Sequence, residues 1–269
     1  MKIAVCVKQV PDSWAEKKMV GGVLDRAGVD AVLNDLDEYA VEEALKIVEA
    51  HSATGEAGEG SGHSITVISM GPERATEAIR KALSMGADDA IHIVDAALAG
   101  SDALATSLVL SKVIAAGGFD LVICGTESTD ARMSVVPAML AERLGWAQLT
   151  FANTVTVDPA ASSLKIDRMT EIGIEKMEAK FPAVISVVEK INEPRYPSFK
   201  GIMAAKKKTI ATQTLSDIGV GADAVGAQSA WSSVKDALPR PARGAGIKVE
   251  DSGNGGSDLV NFLAEKRVI

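Results

Sequence analysis

The first half of the chain alternates short apolar runs with longer stretches in which apolar residues recur at helical spacing. The apolar runs have the length of buried strands and lie at residues 3–7, 64–69, 90–94 and 121–124. The helical patterns lie at residues 36–50, 73–85, 102–116 and 134–144. Strands separated by helices predict right-handed βαβ units. We therefore expect an α/β fold with a doubly wound, Rossmann-like parallel sheet.

The pattern changes after about residue 150. Short strand patterns follow one another without long helices, at residues 155–157, 165–169, 172–178 and 183–187, which predicts a small additional β region. After Lys208 the chain is rich in Gly, Ala and Ser and recovers helical spacing only near residues 258–266. A segment with so few apolar anchors is either disordered or an arm that lies on a partner. We expect an α/β domain at residues 1–207 and an extended C-terminal arm, packed on a partner subunit, at residues 208–269.

Two further segments interrupt the first half of the chain. Residues 10–35 form an insertion between the first strand and the first helix that is longer than an ordinary βα connection. Residues 52–62 (SATGEAGEGSG) have the composition of a flexible surface loop.

Composition and charge exclude several classes of protein. The 269 residues, 47% of them hydrophobic, supply enough apolar material for one large domain. A net charge of −8 argues against nucleic-acid binding. The two cysteines and three histidines show no metal-ligand spacing. No apolar run reaches the roughly 18 residues of a membrane span, and no leader pattern is present. We expect a cytoplasmic protein without direct membrane insertion.

Ligands of a doubly wound sheet bind beyond the carboxyl ends of the strands. Four segments are expected to meet there: residues 6–10, 34–37, 69–72 and 125–136. In the last of them, GTESTDARMSVV, a strand ends at a glycine and a hydroxyl-rich turn runs into a helix. Free N–H groups at a helix start favour a phosphate, although the same pattern also fits an ordinary capped loop. The chain lacks the GxGxxG and GxxxxGKS/T motifs, so a standard dinucleotide or triphosphate loop is not supported.

The sequence shows no constellation of catalytic residues. Cys6 and Cys124 lie in apolar runs, where buried thiols are inert. The acidic pair Glu42 and Glu43 is expected to face solvent on the first helix. Because the sequence shows no activated nucleophile or general base, we expect a binding protein that catalyses no reaction.

One stretch, INEPRYPSFKGIMAAKKK at residues 191–208, is unlike a core segment. Two prolines flank Arg195 and Tyr196, Phe199 follows in a small polar context, and three lysines end the stretch. Such a segment is either a linker or a surface that another protein binds. Three lysines beside it are either a solvated run or a means of steering an acidic partner.

Several segments occur in the order found in one protein family, the electron transfer flavoprotein β subunit. They are AVCVKQVPDS, DEYAVEEALKI, VISMGPERATEAIRKALSMGADDAIHI, FDLVICGTESTD and INEPRYPSFKGIMAAKKK. The chain resembles that family over about residues 1–208 and again in its tail, GIKVE and LVNFLAEKRVI. The resemblance implies the adenine-nucleotide-binding form of the doubly wound sheet.

The same resemblance implies a function. It indicates a heterodimer in which the partner α subunit holds most of the FAD site, while this subunit binds a buried, structural AMP. The assembly accepts electrons from dehydrogenases, typically the acyl-CoA dehydrogenases of fatty acid β-oxidation. It then passes them to a membrane quinone oxidoreductase or another acceptor. The subunit is therefore expected to be part of an electron carrier rather than an enzyme.

The resemblance also assigns binding residues. The AMP contacts are Cys6, Asn34, Asp35, Leu36, Asp37, Met70, Gly125, Thr126, Thr129, Asp130, Arg132, Met133, Ser134, Val135 and Val136. The phosphate is expected near Thr129 and the helix start at residues 134–136. The family usually has Asp-Gly-Asp followed by Gln and Gly, where this chain has DARMSVVP. That departure changes side chains rather than the N–H groups that hold a phosphate, and Arg132 either adds a charge to the site or is solvated.

Partner docking is assigned to a recognition loop at about residues 191–202. The docking residues are Tyr196, Pro197, Ser198, Phe199, Lys200, Gly201, Ile202 and Met203. Phe199 stands where related proteins have a Leu that anchors the dehydrogenase, and the alternative is that it folds back onto its own domain. Met169 and Ile172 replace an acidic residue and a Gly of many relatives, which leaves open an electrostatic contact there to the flavin domain.

Two other functions remain open. In flavin-bifurcating relatives a second FAD occupies the site of AMP, but such relatives usually keep the Asp-Gly-Asp loop that this chain lacks. A free-standing nucleotide-binding protein of the same fold, such as a stress protein or an ATP pyrophosphatase, is the other alternative. The pyrophosphatase loop is absent after the first strand, where VKQVPDS stands.

Overall fold

A nine-stranded sheet forms the centre of the larger of two units in the computed structural model. The model describes residues 1–21, 23–52, 62–238 and 241–269, and the units are Met1–Lys235 and Asp236–Ile269. Most of the predicted surface loop at residues 52–62 lies outside the described residues. The strands are β1 (Lys2–Cys6), β2 (Gln9–Pro11), β3 (Met19–Val20), β4 (Val23–Leu24), β5 (Ala31–Leu33), β6 (Ser64–Met70), β7 (Asp89–Ile93), β8 (Leu121–Gly125), β9 (Ala147–Asp158), β10 (Ser163–Thr170), β11 (Gly173–Lys180), β12 (Ala183–Val187) and β13 (Ile210–Gln213). The helices are α1 (Asp35–His51), α2 (Thr76–Met85), α3 (Ala103–Gly117), α4 (Val136–Leu144), α5 (Phe199–Lys207) and α6 (Gly255–Glu265).

The strand order of the large sheet is β11-β10-β9-β12-β8-β1-β6-β7-β13. Every neighbouring pair from β9 across to β13 is parallel, and the pairs of β10 with β9 and β11 are antiparallel. In the central strand, Val5 aligns with Val67 on one side and Ile123 on the other. Strands buried on both faces need apolar residues throughout, which explains the continuous apolar runs. The predicted doubly wound parallel sheet is confirmed.

Two hydrophobic cores cover the two faces of this sheet. One is formed with α1, α2 and Ala205 of α5, and the other with α3 and α4. The helix that follows β1 therefore lies on one face, and the helix that follows β8 lies on the other. Since β1 and β8 are neighbours, their carboxyl ends form the topological switch point, where ligands of such sheets bind.

Local signals in the sequence set the ends of α3 and α4. The carboxylate of Asp102 accepts the N–H of Ala105 at 3.0 Å and caps the start of α3. Gly118 and Gly145 follow α3 and α4 in the left-handed conformation, with φ of 63° and 66°. Such ends satisfy helix carbonyls that would otherwise lack partners.

The structure differs from the sequence expectations in the second half. The predicted strand at residues 155–157 is part of the twelve-residue β9. Strand β13 pairs with β7, and Leu215, Val220 and Val225 are buried in the second core. The larger unit therefore runs to Lys235 rather than ending at residue 207. Residues beyond the predicted boundary thus add a strand to the sheet and apolar side chains to its core. The Gly- and Ala-rich composition of this segment obscured them in the sequence.

Candidate functional site

Asn34 joins two of the predicted loops at the switch point. The residue is 1% exposed, its Nδ2 donates to the carbonyl oxygen of Glu127 at 2.9 Å, and its Oδ1 accepts the N–H of Thr129 at 3.1 Å. The same Nδ2 donates to the Asp37 carboxyl at 2.9 Å. Both ends of the amide are thus engaged, and the loop at residues 125–136 is fixed against the start of α1.

Asp37 lies behind the same loop and is buried. Its carboxyl accepts the backbone N–H of Lys8 at 2.8 Å, which ties the segment after β1 to α1. Burial raises the pKa of Asp37 to about 7, although its hydrogen bonds oppose the shift. A Cβ at Gly125 would lie 2.6 Å from Oδ1 of Asp37 and 2.8 Å from the backbone of Leu36. Only glycine therefore fits at the end of β8.

Two cations flank Asp130 in the loop after β8. The Asp130 side chain is 1% exposed; Lys8 Nζ lies 2.9 Å from Oδ1, and Arg26 forms an ion pair with Oδ2. Lys8 Nζ also donates to Ser128 Oγ at 3.2 Å. Burial acts to raise the pKa of Asp130, but the neighbouring charges and hydrogen bonds together lower it to about 2. The carboxylate is therefore ionised and compensated at neutral pH.

The loop enters α4 through two residues in the left-handed region. Arg132 has φ of 51° and Ser134 has φ of 55°, and Ser134 Oγ donates to the Glu127 carboxylate at 3.0 Å. Among the described residues, no side chain caps α4, which begins at Val136 with Pro137 in its first turn. The remaining N–H groups of that turn and the positive end of the helix dipole are suited to an anion.

Three other members of the predicted binding set contact other parts of the fold: Cys6, Met70 and Thr126. Cys6 and Cys124 are aligned free cysteines on neighbouring strands, and both are buried. The pKa of Cys124 is raised by its hydrogen bond with Cys6 and then by burial. Met70 packs on the second core. Thr126 Oγ1 donates to the Val187 carbonyl at 2.6 Å, so its proton is used within the protein.

The remaining members of the predicted set differ in exposure. Asp35, Arg132 and Met133 are exposed. The half-buried members are Leu36, Thr129, Ser134, Val135 and Val136.

Lys8 and Arg26 contact the loop but were not among the predicted binding residues, although Lys8 lies in the predicted segment 6–10. Lys8 carried a signal, since it is the first charged residue after the apolar run of β1. Arg26 lies in the long insertion, and nothing in its neighbourhood marks it as a partner of a residue 104 positions away.

The predicted docking loop is partly helical. Ser198 caps α5 by accepting the N–H of Gly201 at 3.0 Å, and Phe199 is the first residue of the helix. Phe199 is 81% exposed and Tyr196 is 94% exposed, which excludes a Phe199 folded back onto its own domain. The rest of the helix buries Ala205 against the first core.

Glu42 and Glu43 are buried, contrary to the expectation that they face solvent. The Arg195 guanidinium lies 2.8 Å from Glu42 and 2.6 Å from Glu49. Asn192 Nδ2 donates to Glu43 at 2.9 Å. The segment before α5 therefore covers this face of α1, and its side chains compensate the buried charges.

The β10–β11 hairpin presents apolar side chains to solvent. Met169 and Ile172 are 65% and 96% exposed, and Ile174 is also exposed. Arg168 pairs with Glu175 across the hairpin at 3.3 Å. The structure assigns no partner to Met169 or Ile172.

Two further features, a metal-binding cluster and a membrane-spanning helix, are absent from the described ranges. No group of three or more His, Cys, Asp or Glu side chains is arranged to hold a metal ion there. None of the helices in that part of the chain has the length and apolar character needed to cross a membrane.

The chain is similar to members of a known protein family over nearly its whole length. A model of the electron transfer flavoprotein domain matches residues 21–218. Electron transfer flavoprotein subunit beta of Mycobacterium leprae is 49% identical, and that of Mycobacterium tuberculosis H37Rv is 50% identical, each over 99% of both chains. The protein of the same name from Megasphaera elsdenii is 34% identical over 100% of this chain and 98% of its own. The chain thus belongs to the family of electron transfer flavoprotein β subunits, as its motifs predicted.

Proposed function

We propose that this chain is the β subunit of a heterodimer with an electron transfer flavoprotein α subunit. The heterodimer accepts electrons from dehydrogenases, typically acyl-CoA dehydrogenases, and passes them to a quinone oxidoreductase. FAD is held mainly by the α subunit, and the site at the switch point of this chain holds AMP. Two observations together carry the proposal. The loop bonded to Asn34 leads into an uncapped helix start that is suited to an anion, and Phe199 is exposed.

The residues at the switch point fit an adenylate. Its phosphate would be held by the uncapped first turn of α4, and the loop that leads into this turn is held in place by Asn34. The carboxylate of Asp130 does not oppose this, since Lys8 and Arg26 compensate its charge. AMP supplies no chemistry here; bound in the loop, it would stabilise the folded subunit by mass action.

Counting ligands in the purified heterodimer tests the site. We expect one FAD and one AMP for each heterodimer after denaturation and extraction. Two FAD and no AMP would instead support the bifurcating alternative, in which the second flavin occupies the loop. A stable, nucleotide-free monomer would contradict both and would favour a free-standing nucleotide-binding protein.

The docking surface is an apolar face at the start of α5. Phe199, Ile202 and Met203 are exposed and spaced at i, i+3 and i+4, which places them on one side of the helix. Tyr196 extends the apolar surface, and Lys206 and Lys207 add positive charge in the last turn. A large apolar anchor with a charged margin is typical of a protein-binding hot spot, and the lysines would attract an acidic partner.

Phe199→Ala tests this surface. We expect kcat/KM for the heterodimer, as the electron acceptor of an acyl-CoA dehydrogenase, to fall about thirtyfold, because a hot-spot side chain contributes about 2 kcal/mol or more. Flavin and AMP content should not change. The matched control is Trp14→Ala, which removes an exposed aromatic side chain from the insertion after β1. Equal losses in both variants, or none in Phe199→Ala, would reject the docking role.

Residues Asp236–Ile269 are proposed to lie on the α subunit. In this unit α6 buries none of its residues, and Leu259, Val260 and Phe262 are exposed. A helix with such a face does not stabilise itself in water and needs a partner surface. Limited proteolysis should cleave this unit in the isolated subunit and spare it in the heterodimer. Full resistance in the isolated subunit would contradict the assignment.

A further inference from the structure

We infer that Arg195 is a positioning residue for partner docking: it clamps the segment before α5 onto α1, so that Phe199 is presented in one orientation. The inference rests on the proposed docking role of residues 196–203. The proposed role requires no contact of Arg195 with Phe199 or with a partner. Arg195 acts through the backbone that leads into the docking helix.

The clamp is a double fork. Nε and Nη2 of Arg195 donate to the two oxygens of Glu42 at 2.8 and 2.9 Å, and Nη1 and Nη2 donate to the two oxygens of Glu49 at 2.6 and 3.0 Å. The backbone N–H of Arg195 also donates to Glu42, at 3.1 Å. A planar guanidinium is able to bond two carboxylates in this way, whereas a lysine ammonium acts as a point charge.

The clamp replaces regular secondary structure. Residues 192–198 belong to no helix or strand, so their backbone is not fixed by a ladder of hydrogen bonds. Asn192 is held on the same helix, where its Nδ2 donates to the Tyr39 carbonyl at 3.1 Å and to Glu43. The segment is thus attached to α1 at its first residue and again at Arg195, one residue before Tyr196.

The other end of the docking helix is fixed independently. Arg80 of α2 donates to the carbonyl oxygens of Ala205 and Lys208 at the end of α5. Phe199 lies between these two attachments along the chain. Loss of Arg195 would therefore free the approach to α5 while α5 stays on α2. Without the clamp, the segment before α5 would have to be ordered each time a partner binds. This cost weakens binding although no contact with the partner is removed.

The test uses Arg195→Gln and Arg195→Lys in the complete heterodimer. With the heterodimer as the varied substrate of an acyl-CoA dehydrogenase, we expect Arg195→Gln to raise KM about tenfold, because several side chains must be immobilised on binding. The value of kcat at saturation should stay unchanged. Hydrogen exchange should accelerate at residues 192–199 and remain unchanged elsewhere. Arg195→Lys should give an intermediate KM, since one charge contact remains.

Controls separate positioning from general damage. Arg143→Gln removes another guanidinium that joins two helices, bonded to Ser107 at 2.9 Å and to Leu104 at 3.1 Å, and should leave KM unchanged. Glu49→Gln weakens the half-buried arm of the clamp alone, with an expected threefold rise in KM, roughly the effect of one partly exposed ion pair. If Arg195→Gln yields no heterodimer, Glu49→Gln and Arg195→Lys decide the question, and wild-type KM in both overturns the inference.

Comparison with Phe199→Ala distinguishes the two proposals. A raised KM in Phe199→Ala together with a wild-type KM in Arg195→Gln overturns the positioning role and leaves docking intact. A wild-type KM in Phe199→Ala overturns docking, and the positioning role with it. A raised KM in Arg195→Gln without faster exchange at residues 192–199 also contradicts positioning.

Discussion

The proposed nucleotide edge (residues 34–37 and 125–136) and the proposed docking segment (residues 192–203) use opposite arrangements of polar and apolar groups. At the edge, Asn34 and Asp37 are buried, and Asn34 holds the loop that leads into the uncapped first turn of α4. In the docking segment, Phe199 is exposed, and Arg195, four residues earlier in the chain, pairs with Glu42. A small ligand is bound by exposing polar groups from a rigid support, and a protein partner by exposing apolar ones. In both proposals the rigidity comes from polar side chains that are bonded within the protein.

A single helix supports both regions. Asn34 and Asp37 lie at the start of α1, whereas Glu42, Glu43 and Glu49 follow on later turns. The carboxyl groups of this helix differ in how they tolerate burial. Asp37 has a raised pKa and is partly protonated at neutral pH, whereas Glu42 is compensated by a guanidinium. The stability of the region around Asp37 is therefore expected to change with pH as pH approaches 7.

The pH dependence of Asp37 is the largest expected effect. Its carboxyl keeps a proton up to about pH 7 in the folded chain but only to about pH 4 when unfolded, so folding takes up a proton between these values. Stability falls as pH rises through this window, by about 4 kcal/mol in total. Asp37→Asn removes this dependence. The measurement is urea unfolding of wild type and Asp37→Asn from pH 4 to 7, where their difference should change by about 1.4 kcal/mol per pH unit at most.

Asp130 provides the control for this prediction because its shift has the opposite sign. Its pKa is lowered in the folded chain, so its contribution is present above about pH 4 and is lost as pH falls toward 2. Asp130→Asn should therefore differ from wild type by a constant amount between pH 5 and 7. A constant offset for Asp37→Asn over the same range would show that Asp37 is ionised in the folded chain.

Asn34→Ala is expected to have the next largest effect. The substitution leaves the Glu127 carbonyl and the Thr129 N–H without their buried partner, at a cost of about 3 kcal/mol. The loop should also lose its fixed position, so the AMP content of the heterodimer should fall well below one. Nucleotide extraction and thermal unfolding measure the two effects together.

Thr126→Val is the matched comparison for Asn34→Ala. It removes one hydrogen bond at the same edge, from Oγ1 to the Val187 carbonyl, while keeping the size of the side chain. We expect it to cost about 1 kcal/mol and to leave AMP bound. Retention of AMP in Asn34→Ala would show that the loop holds its shape without the amide.

The sequence predicts the sheet well because strand and helix patterns are local. Runs such as residues 121–124 are apolar throughout, and burial on both faces leaves no ambiguity about their place. The length of β9 is harder to predict, because this strand alternates buried and exposed positions and its polar residues obscure where it begins. The predicted segments at residues 6–10, 34–37 and 125–136 come together at the switch point because parallel strands end at one edge.

Long-range ion pairs explain what the sequence could not predict. Glu42 and Glu43 have the pattern of a solvated helix face, and only Arg195 and Asn192, about 150 positions later, bury them. Arg26 is likewise read as a residue of a polar insertion until the fold places it beside Asp130. Pairs of this kind follow from tertiary structure and leave no local trace.

The smallest expected effect lies where the docking helix meets α2. A Cβ at Gly201 would be 2.6 Å from the carbonyl oxygen of Ser84, so Gly201→Ala forces α5 away from α2. Alanine also favours helix by about 1 kcal/mol, and displacement of a packed element costs about 1–3 kcal/mol. We expect a net loss of about 1 kcal/mol, seen as a melting temperature lower by about 2–4 °C, and a KM for the dehydrogenase raised a few fold.

Gly256→Ala separates the two contributions of that substitution. Gly256 lies in the first turn of α6, and a Cβ there meets no atom within 4 Å. The change therefore tests helix propensity alone and should leave the melting temperature equal or higher. A rise in both variants would mean that the first turn of α5 does not lie closely on α2. A fall in Gly201→Ala only would show that close packing on α2 fixes the start of the docking helix.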